Sequence, residues 1–333
     1  MKPYNIAIVG ATGLVGSTFL KVLEEKKYIE INQLYLFASA KSKGKSIIFR
    51  EKEYFIEELN ETNIKNKKID FALFSAGSTV SRQYAPLFKK YGAIVIDNSS
   101  AWRTDKKIPL VVPQVNPQAC FKHKGIIANP NCSTIQCMLP LKALHNIFEL
   151  KRVIFSTYQA VSGSGIKGIR DLENNMKGEP SSFYPHPIYN NCLPHIDAFL
   201  PNGYTKEEMK MVNESRKILG LPKLKISATC VRVPVKNSHC VDIYAEFKHP
   251  IDMPAVYSAL SHFEGTILMD NPAQNIYPLP TIASGTDQVY VGRVRPDLNN
   301  AKALRMFCVA DNVRKGAASN AIEIMELLIK NSR

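Results

Sequence analysis

Asn5-Ile6-Ala7-Ile8-Val9-Gly10-Ala11-Thr12-Gly13-Leu14-Val15-Gly16 decides how this chain is read. The first five residues form a short apolar run of the kind shown by a parallel strand buried on both faces. Three glycines spaced G-x-x-G-x-x-G follow at once, and an amphipathic helix continues through about Glu25. Strand, glycine turn and helix in that order set backbone N–H groups at the positive end of a helix, where a pyrophosphate can sit. A purely structural glycine turn would show the same spacing, but its place directly after a strand favours a dinucleotide site.

Outward from this turn, the second strand Gln33–Phe37 ends in Ala38-Ser39-Ala40-Lys41-Ser42-Lys43-Gly44-Lys45. An NAD site places Asp or Glu there for the ribose 2′-hydroxyl. Hydroxyls and ammonium groups without a carboxylate suit a 2′-phosphate, so NADP is expected; the alternative is a solvated lysine turn. Short apolar runs between Lys45 and Lys68 predict an edge hairpin. Strand 70–74, ending in Ser75-Ala76-Gly77, then helix 78–90 and strand 93–97 repeat the β-α-β alternation of a doubly wound parallel sheet. Ligands bind at the carboxyl ends of such strands, where Asn98-Ser99-Ser100-Ala101-Trp102-Arg103 also falls. Arg103 is therefore either an anion clamp or an ordinary paired arginine.

At 333 residues the chain is long enough for two domains, and 45% hydrophobic with 22% charged residues is a globular balance. Seven cysteines, an odd number without a C-x-x-C pair, fit neither a disulfide framework nor a zinc site, so no metal is expected. The net charge of +14 is spread along the chain without aromatic interleaving, which suits acidic small molecules and argues against nucleic acid. No apolar run is long enough to span a bilayer and the N-terminus runs straight into a strand pattern, so neither membrane segment nor signal peptide is expected, and the predicted compartment is the cytoplasm.

Asn129-Pro130-Asn131-Cys132-Ser133-Thr134 is the second informative stretch. A cysteine at a sharp turn that opens a helix lies where N–H groups and the helix dipole lower a thiol pKa. The competing reading is a small buried apolar residue. Pro140 interrupts the ladder of the helix 133–146 without touching its start. Longer strand-like runs follow at 151–161, 223–235 and 241–247, and they predict a mixed or antiparallel sheet. Gln159 interrupts the first run, ahead of Ser162-Gly163-Ser164-Gly165. Arg232 and His239 flank Val233-Pro234-Val235. Together they propose a cysteine nucleophile, a histidine acid/base and an arginine for a carboxylate. Glu214 and Lys217 share one face of the predicted helix 206–219, where an intrahelical ion pair is the simpler reading. A closing strand 305–310 precedes an amphipathic helix 317–330 that is expected to dock on the nucleotide domain.

With these residues in place, the chain resembles aspartate-β-semialdehyde dehydrogenase over essentially its whole length. The resemblance is carried by Gly10-Ala11-Thr12-Gly13 through Gly16, Ser75-Ala76-Gly77, Asn98-Ser99-Ser100-Ala101, the Cys132 stretch through Gln136, Thr229 through Val235, Val291-Gly292-Arg293, Ala310-Asp311-Asn312 and Lys315-Gly316-Ala317-Ala318. It implies an α/β protein with an NADP-binding Rossmann-like domain over 1–130, completed by the C-terminal helix 312–333, and an α+β catalytic and oligomerisation domain over 131–311. The implied reaction is the NADP-dependent interconversion of L-aspartyl-4-phosphate and L-aspartate 4-semialdehyde, on the branch toward lysine, threonine and methionine.

The resemblance implies Cys132 as thioester-forming nucleophile, His239 as acid/base and Gln159 as the group orienting the acyl carbon. It assigns Arg232 to the substrate carboxylate, Arg103 and Lys217 to phosphate, and Glu214 and Asn131 to the substrate side. Cofactor contacts are implied for Gly10, Thr12, Gly13, Leu14 and Val15, for Ser39, Ala40, Lys41 and Ser75, and for Ser162, Gly163 and Asn312. A homodimer or homotetramer is implied, and Cys132 is expected at the seam of the domains, within reach of both nicotinamide and His239. Where many members carry Ser-Glu after the histidine, this chain has Cys240-Val241, and Cys240 is expected as an oxidisable thiol near the site. N-acetyl-γ-glutamyl-phosphate reductase shares the fold and thiol chemistry but has Gly and an aromatic around its cysteine, where Asn131 and Ser133 stand here. A non-catalytic homologue would be expected to lose Cys132 or His239.

Overall fold

The computed structural model describes residues 3–331. Its regular elements begin with β1 (Tyr4–Val9), α1 (Leu14–Glu25), β2 (Ile31–Ala38), β3 (Ser46–Phe49), β4 (Lys52–Glu58), α2 (Glu61–Lys65) and β5 (Phe71–Phe74). They continue with α3 (Ser78–Lys90), β6 (Ile94–Asp97), α4 (Pro117–Cys120), β7 (Ile126–Ala128), α5 (Cys132–Phe148), β8 (Leu150–Gln159) and α6 (Gly165–Met176). Then come α7 (Lys206–Leu219), β9 (Lys225–Arg232), β10 (His239–Phe247), α8 (Met253–His262), β11 (Thr266–Leu268), α9 (Pro280–Ala283), β12 (Val289–Pro296), β13 (Ala303–Ala310) and α10 (Ser319–Asn331). The chain forms two compact units, one comprising the residues up to Pro130 and those from Ala317 on, the other Asn131–Gly316.

In the first unit the strand order is β3-β4-β2-β1-β5-β6-β7 among the described residues, parallel throughout except for the edge hairpin β3–β4. Side chains alternate faces along a strand, and both faces here are covered. Ile6 and Ile8 join one apolar cluster with Phe19 and Leu23 of α1 and Ile324 and Met325 of α10, while Ala7 and Val9 join another with Ala85 and Phe88 of α3. Double burial explains why β1 reads as an unbroken apolar run. The sheet order reverses between β1 and β5, so the ends of these strands form the crevice at which α/β sheets take ligands.

The second unit carries a mixed sheet ordered β11-β12-β13-β10-β8-β9, with β8 and β9 parallel and β10 antiparallel to both β8 and β13. The expected mixed α/β class is thus observed. Two strands stop sooner than their apolar runs suggest. β8 ends at Gln159 because Val161–Ser164 winds into a 3-10 turn, and β9 ends at Arg232, two residues before Pro234, which has no N–H for a ladder. Residues 312–316, grouped with the first domain on sequence, lie in the second unit. Asn312 bonds there to Ser162 and to the Ser238 N–H. A π turn, Arg314–Ala318, precedes α10, and the Gly316 N–H donates to the Asp311 carbonyl. Residues 332 and 333 of the range 312–333 lie outside the described residues.

Candidate active site

In the first unit, Gly10 has φ +86°, and a Cβ there would lie 2.3 Å from the Ser75 carbonyl oxygen. A Cβ on Gly16 would lie 2.1 Å from the Gly10 oxygen. These glycines therefore let β1, β5 and the start of α1 approach more closely than any side chain allows. The result is a cavity of about 470 Å³ lined by Gly10, Thr12, Gly13 and Ala38, by Ser39, Leu59, Ser75 and Ala76, and by Val80, Gln83 and Tyr84. That volume lies within the range of small-molecule sites of roughly 300–1,000 Å³. Among the described residues lining it, none is acidic. Leu14 and Val15 open α1 and do not line the cavity, nor do Ala40 and Lys41 in the 3-10 turn after β2. Arg103 belongs to this unit, is buried, and donates through Nη2 to the Asn98 carbonyl at 2.5 Å.

The other implied residues gather in the second unit because of strand register. Gln159 pairs with Arg232 across β8 and β9, and Cys240 pairs with Tyr158 across β10 and β8. Three adjacent strands therefore deliver Arg232, Gln159 and His239 in a row at one end of the sheet. α5 crosses the same sheet, and Cys132 is its first residue, half-buried. Asn131 is its N-cap, and its Oδ1 accepts from the Ser133 and Thr134 N–H groups at 3.0 and 3.3 Å. Its own N–H donates to Glu214 Oε2 at 2.6 Å, which connects Glu214 to the turn before Cys132. Pro140 leaves the Gln136 carbonyl without its helical donor, and the Cys308 thiol donates to it at 3.4 Å. The Gln136 amide in turn donates to the carbonyls of His239 and Cys308 at 3.1 and 3.2 Å. Gly316 packs directly on Cys132, where a Cβ would lie 3.0 Å from Cys132 Cβ.

His239 is fully buried, and its Nδ1 accepts the Ala160 N–H at 3.0 Å. The neutral imidazole must then carry its proton on Nε2, the atom that finds no partner among the described residues. Burial, and then the adjacent Arg232 charge, pull its pKa down from 6.5 to about 3, opposed in part by Glu207. The turn before it is strained. Ser238 has φ +74°, held by its N–H bond to Asn312 Oδ1 at 2.9 Å and its hydroxyl contact to Ser284 at 2.9 Å. Asn312 and Ser162, implied as cofactor contacts, also bond to each other at 2.9 Å. Arg232 is buried, spends Nη1 on the Ala160 carbonyl at 2.6 Å, and keeps Nε without a partner among the described residues. A buried guanidinium with an unspent donor is suited to a carboxylate. Gly163 lies against both: a Cβ there would fall 2.9 Å from Arg232 Nη1 and 3.1 Å from His239 Nε2.

The helix-start N–H groups of Ser133 and Thr134 are taken up by the Asn131 cap. Cys240, expected to be oxidisable, is buried, and that burial pushes its thiol up to about 12, so it is unreactive. One group is new. Glu207 is buried and accepts from Asn131 Nδ2 at 2.8 Å and Gln159 Nε2 at 3.1 Å. On sequence it hid in the first turn of α7 beside Glu208, whose capping box with Thr205 is the obvious use of a carboxylate there.

Two sequence families match this chain. The semialdehyde dehydrogenase NAD binding domain matches residues 5–123, and the semialdehyde dehydrogenase dimerisation domain matches residues 141–315. These two matches, over both units of the fold, place the chain in the class of the semialdehyde dehydrogenases. The aspartate-semialdehyde dehydrogenase of Aquifex aeolicus (strain VF5) is 51% identical over 336 residues, covering 98% of each chain. The crystal structure of aspartate semialdehyde dehydrogenase II from Vibrio cholerae, complexed with ASA, matches with TM-score 0.93 at 41% identity over 99% of each chain. The Candida albicans aspartate semialdehyde dehydrogenase with NADP matches with TM-score 0.77 at 25% identity over 98% of each chain. This chain belongs to the aspartate-semialdehyde dehydrogenase family.

Proposed function

We propose that the protein catalyses the NADP-dependent reductive dephosphorylation of L-aspartyl-4-phosphate to L-aspartate 4-semialdehyde, and its reverse, through a thioester on Cys132. The observation that carries this reading is the row of Arg232, Gln159 and His239 at one sheet end. Both Arg232 Nε and His239 Nε2 there are buried without partners among the described residues. Arg232 takes the α-carboxylate, and Lys217 and Arg103 are assigned to phosphate. The Cys132 sulfur attacks the acyl carbon, the bond to phosphate breaks, and the thiol proton leaves with the phosphate. Bound NADPH supplies the hydride that brings the thioester to the aldehyde level. His239 donates from Nε2 to the oxygen that gains charge in each addition, and the second N–H of Gln159 supports it. A preorganised donor of this kind is worth roughly 3–4 kcal/mol. Release of the aldehyde breaks the carbon–sulfur bond and returns the sulfur as thiolate, which takes up a proton from solvent to restore the starting thiol.

The cofactor fits the glycine cradle around Gly10, and the lack of an acidic lining residue near Ser39 supports NADP over NAD. Ile154 and Tyr158, 40% and 43% exposed, lie on one face of the second unit's sheet and support a homodimer or homotetramer built there. Seven cysteines carrying thiols suit a reducing compartment, taken to be the cytoplasm. The test is NADP reduction by the purified protein given aspartate semialdehyde and phosphate. Cys132→Ser should lose this activity yet still bind cofactor. No activity in the parent, or full activity in the variant, would overturn the reading. Running NAD and N-acetylglutamate semialdehyde beside these tests the cofactor and substrate assignments, and light scattering reads the oligomer.

A further inference from the structure

Glu207 is a buried carboxylate that the proposed chemistry does not use. Its Oε1 accepts from two side-chain amides, Nδ2 of Asn131, the residue before Cys132, at 2.8 Å and Nε2 of Gln159 at 3.1 Å. Its Oε2 meets Lys210 Nζ at 3.0 Å, and Lys210 also reaches Asp197 Oδ2 at 2.8 Å. An ionised carboxylate only accepts, so both amides must turn their NH₂ groups toward it. Asn131 then has Oδ1 left for capping α5, and Gln159 has Oε1 left for the Thr157 hydroxyl at 3.0 Å. One oxygen atom thus orients the cap of the nucleophile helix and the amide on the neighbouring strand together.

We propose that Glu207, charge-balanced by Lys210, is a positioning residue: it aligns Asn131 and Gln159 about Cys132, and its negative charge is required for that alignment. The inference rests on the reading of Cys132 and Gln159 given above. The titratable groups facing Glu207 are Lys210 on its own helix, Asp197 in the preceding loop, Cys230 on β9 and His239 on β10. Burial alone would raise the Glu207 carboxyl, but Lys210 and the two amides hold it down at about 2, so it is ionised at working pH. Without Lys210 the burial effect is opposed only by the amides, and the carboxyl titrates at a higher pH.

Three variants test this: Glu207→Gln, Lys210→Met and the two combined. Misplacement of reacting groups by about 1 Å costs on the order of 100-fold in rate. Glu207→Gln should therefore lower kcat about 10- to 100-fold with KM for NADP unchanged. Lys210→Met should add a new acid limb to the kcat–pH profile, activity returning as Glu207 ionises, and the double variant should lack that limb. A folded Glu207→Gln enzyme with kcat within about twofold of the parent, or a Lys210→Met profile matching the parent's, overturns the proposal. If Lys210→Met does not fold, Glu207→Gln decides alone. Activity of the unaltered chain on aspartate semialdehyde is measured first, so failure of the functional reading is seen separately.

Discussion

Acidification from pH 8 to pH 5 should destabilise the second unit through His239, by an amount the structure sets. The imidazole is fully buried, with its pKa pulled from 6.5 to about 3 by burial and then by Arg232. A depressed folded-state value means that the unfolded chain binds the proton more readily. Stability is therefore complete above pH 6.5 and is lost as pH falls through 6.5 toward 3. Linkage puts the loss at about 2 kcal/mol by pH 5, growing to about 5 kcal/mol below pH 3. The Glu207 carboxyl, at about 2, adds a loss of the same sign mainly below its unfolded value of 4.5, so pH 5 leaves it out. Burial also lowers the pKa of His145 and His123, and their contribution cancels in the comparison with a variant that lacks only the His239 imidazole. The assay compares urea unfolding of the parent and His239→Asn by circular dichroism at both pH values. The Asn side-chain oxygen can take the Ala160 N–H in place of Nδ1 but cannot titrate. The parent should lose about 2 kcal/mol more than the variant between pH 8 and pH 5. Equal losses, or a His239 imidazole proton resonance titrating near pH 6.5, would refute the reasoning.

Gly163→Ala should cut kcat/KM for aspartate semialdehyde about 10- to 100-fold by pressing on Arg232 and His239, with a smaller effect on the melting temperature because the nearest atom, Arg232 Nη1, ends a long side chain that can shift. Steady-state kinetics beside a thermal melt checks it. Gly10→Ala should act oppositely, costing more than about 2 kcal/mol of stability and abolishing NADP binding, because the new Cβ meets backbone at Ser75 and φ is +86°; denaturation and cofactor fluorescence titration read it. Asn131→Ala should remove the cap, costing about 1 kcal/mol, and should lower kcat as well because Glu207 loses one of its two amides.

Much of this architecture is legible in the chain because its causes are local. A strand buried on both faces must be apolar at every position, a pyrophosphate turn needs glycine where backbones touch, and helix α7 starts at Thr205 because a capping box is written there. Helix α8 carries a similar mark, Asp252 as its N-cap and Pro254 in its first turn, but strands β11 and β12 have none, and the sheet order of the second unit depends on pairings between distant segments. Of the site, the residue types were legible from Cys132, Gln159, Arg232 and His239, but their relations were not.

The sequence by itself determined the two sheet types, the glycine turn, the helix that opens at Cys132 and the family. Tertiary structure alone decided which nitrogen of His239 holds the proton, since that rests on an N–H of Ala160, 79 positions away. It also decided which acidic residue of α7 serves which partner: Glu208 caps its own helix, Glu214 takes the Asn131 N–H, and Glu207 takes the amides of Asn131 and Gln159. A carboxylate's charge is set by its chemistry, but the donors it meets are set by the segments folding packs around it, and spacing along the chain does not encode them.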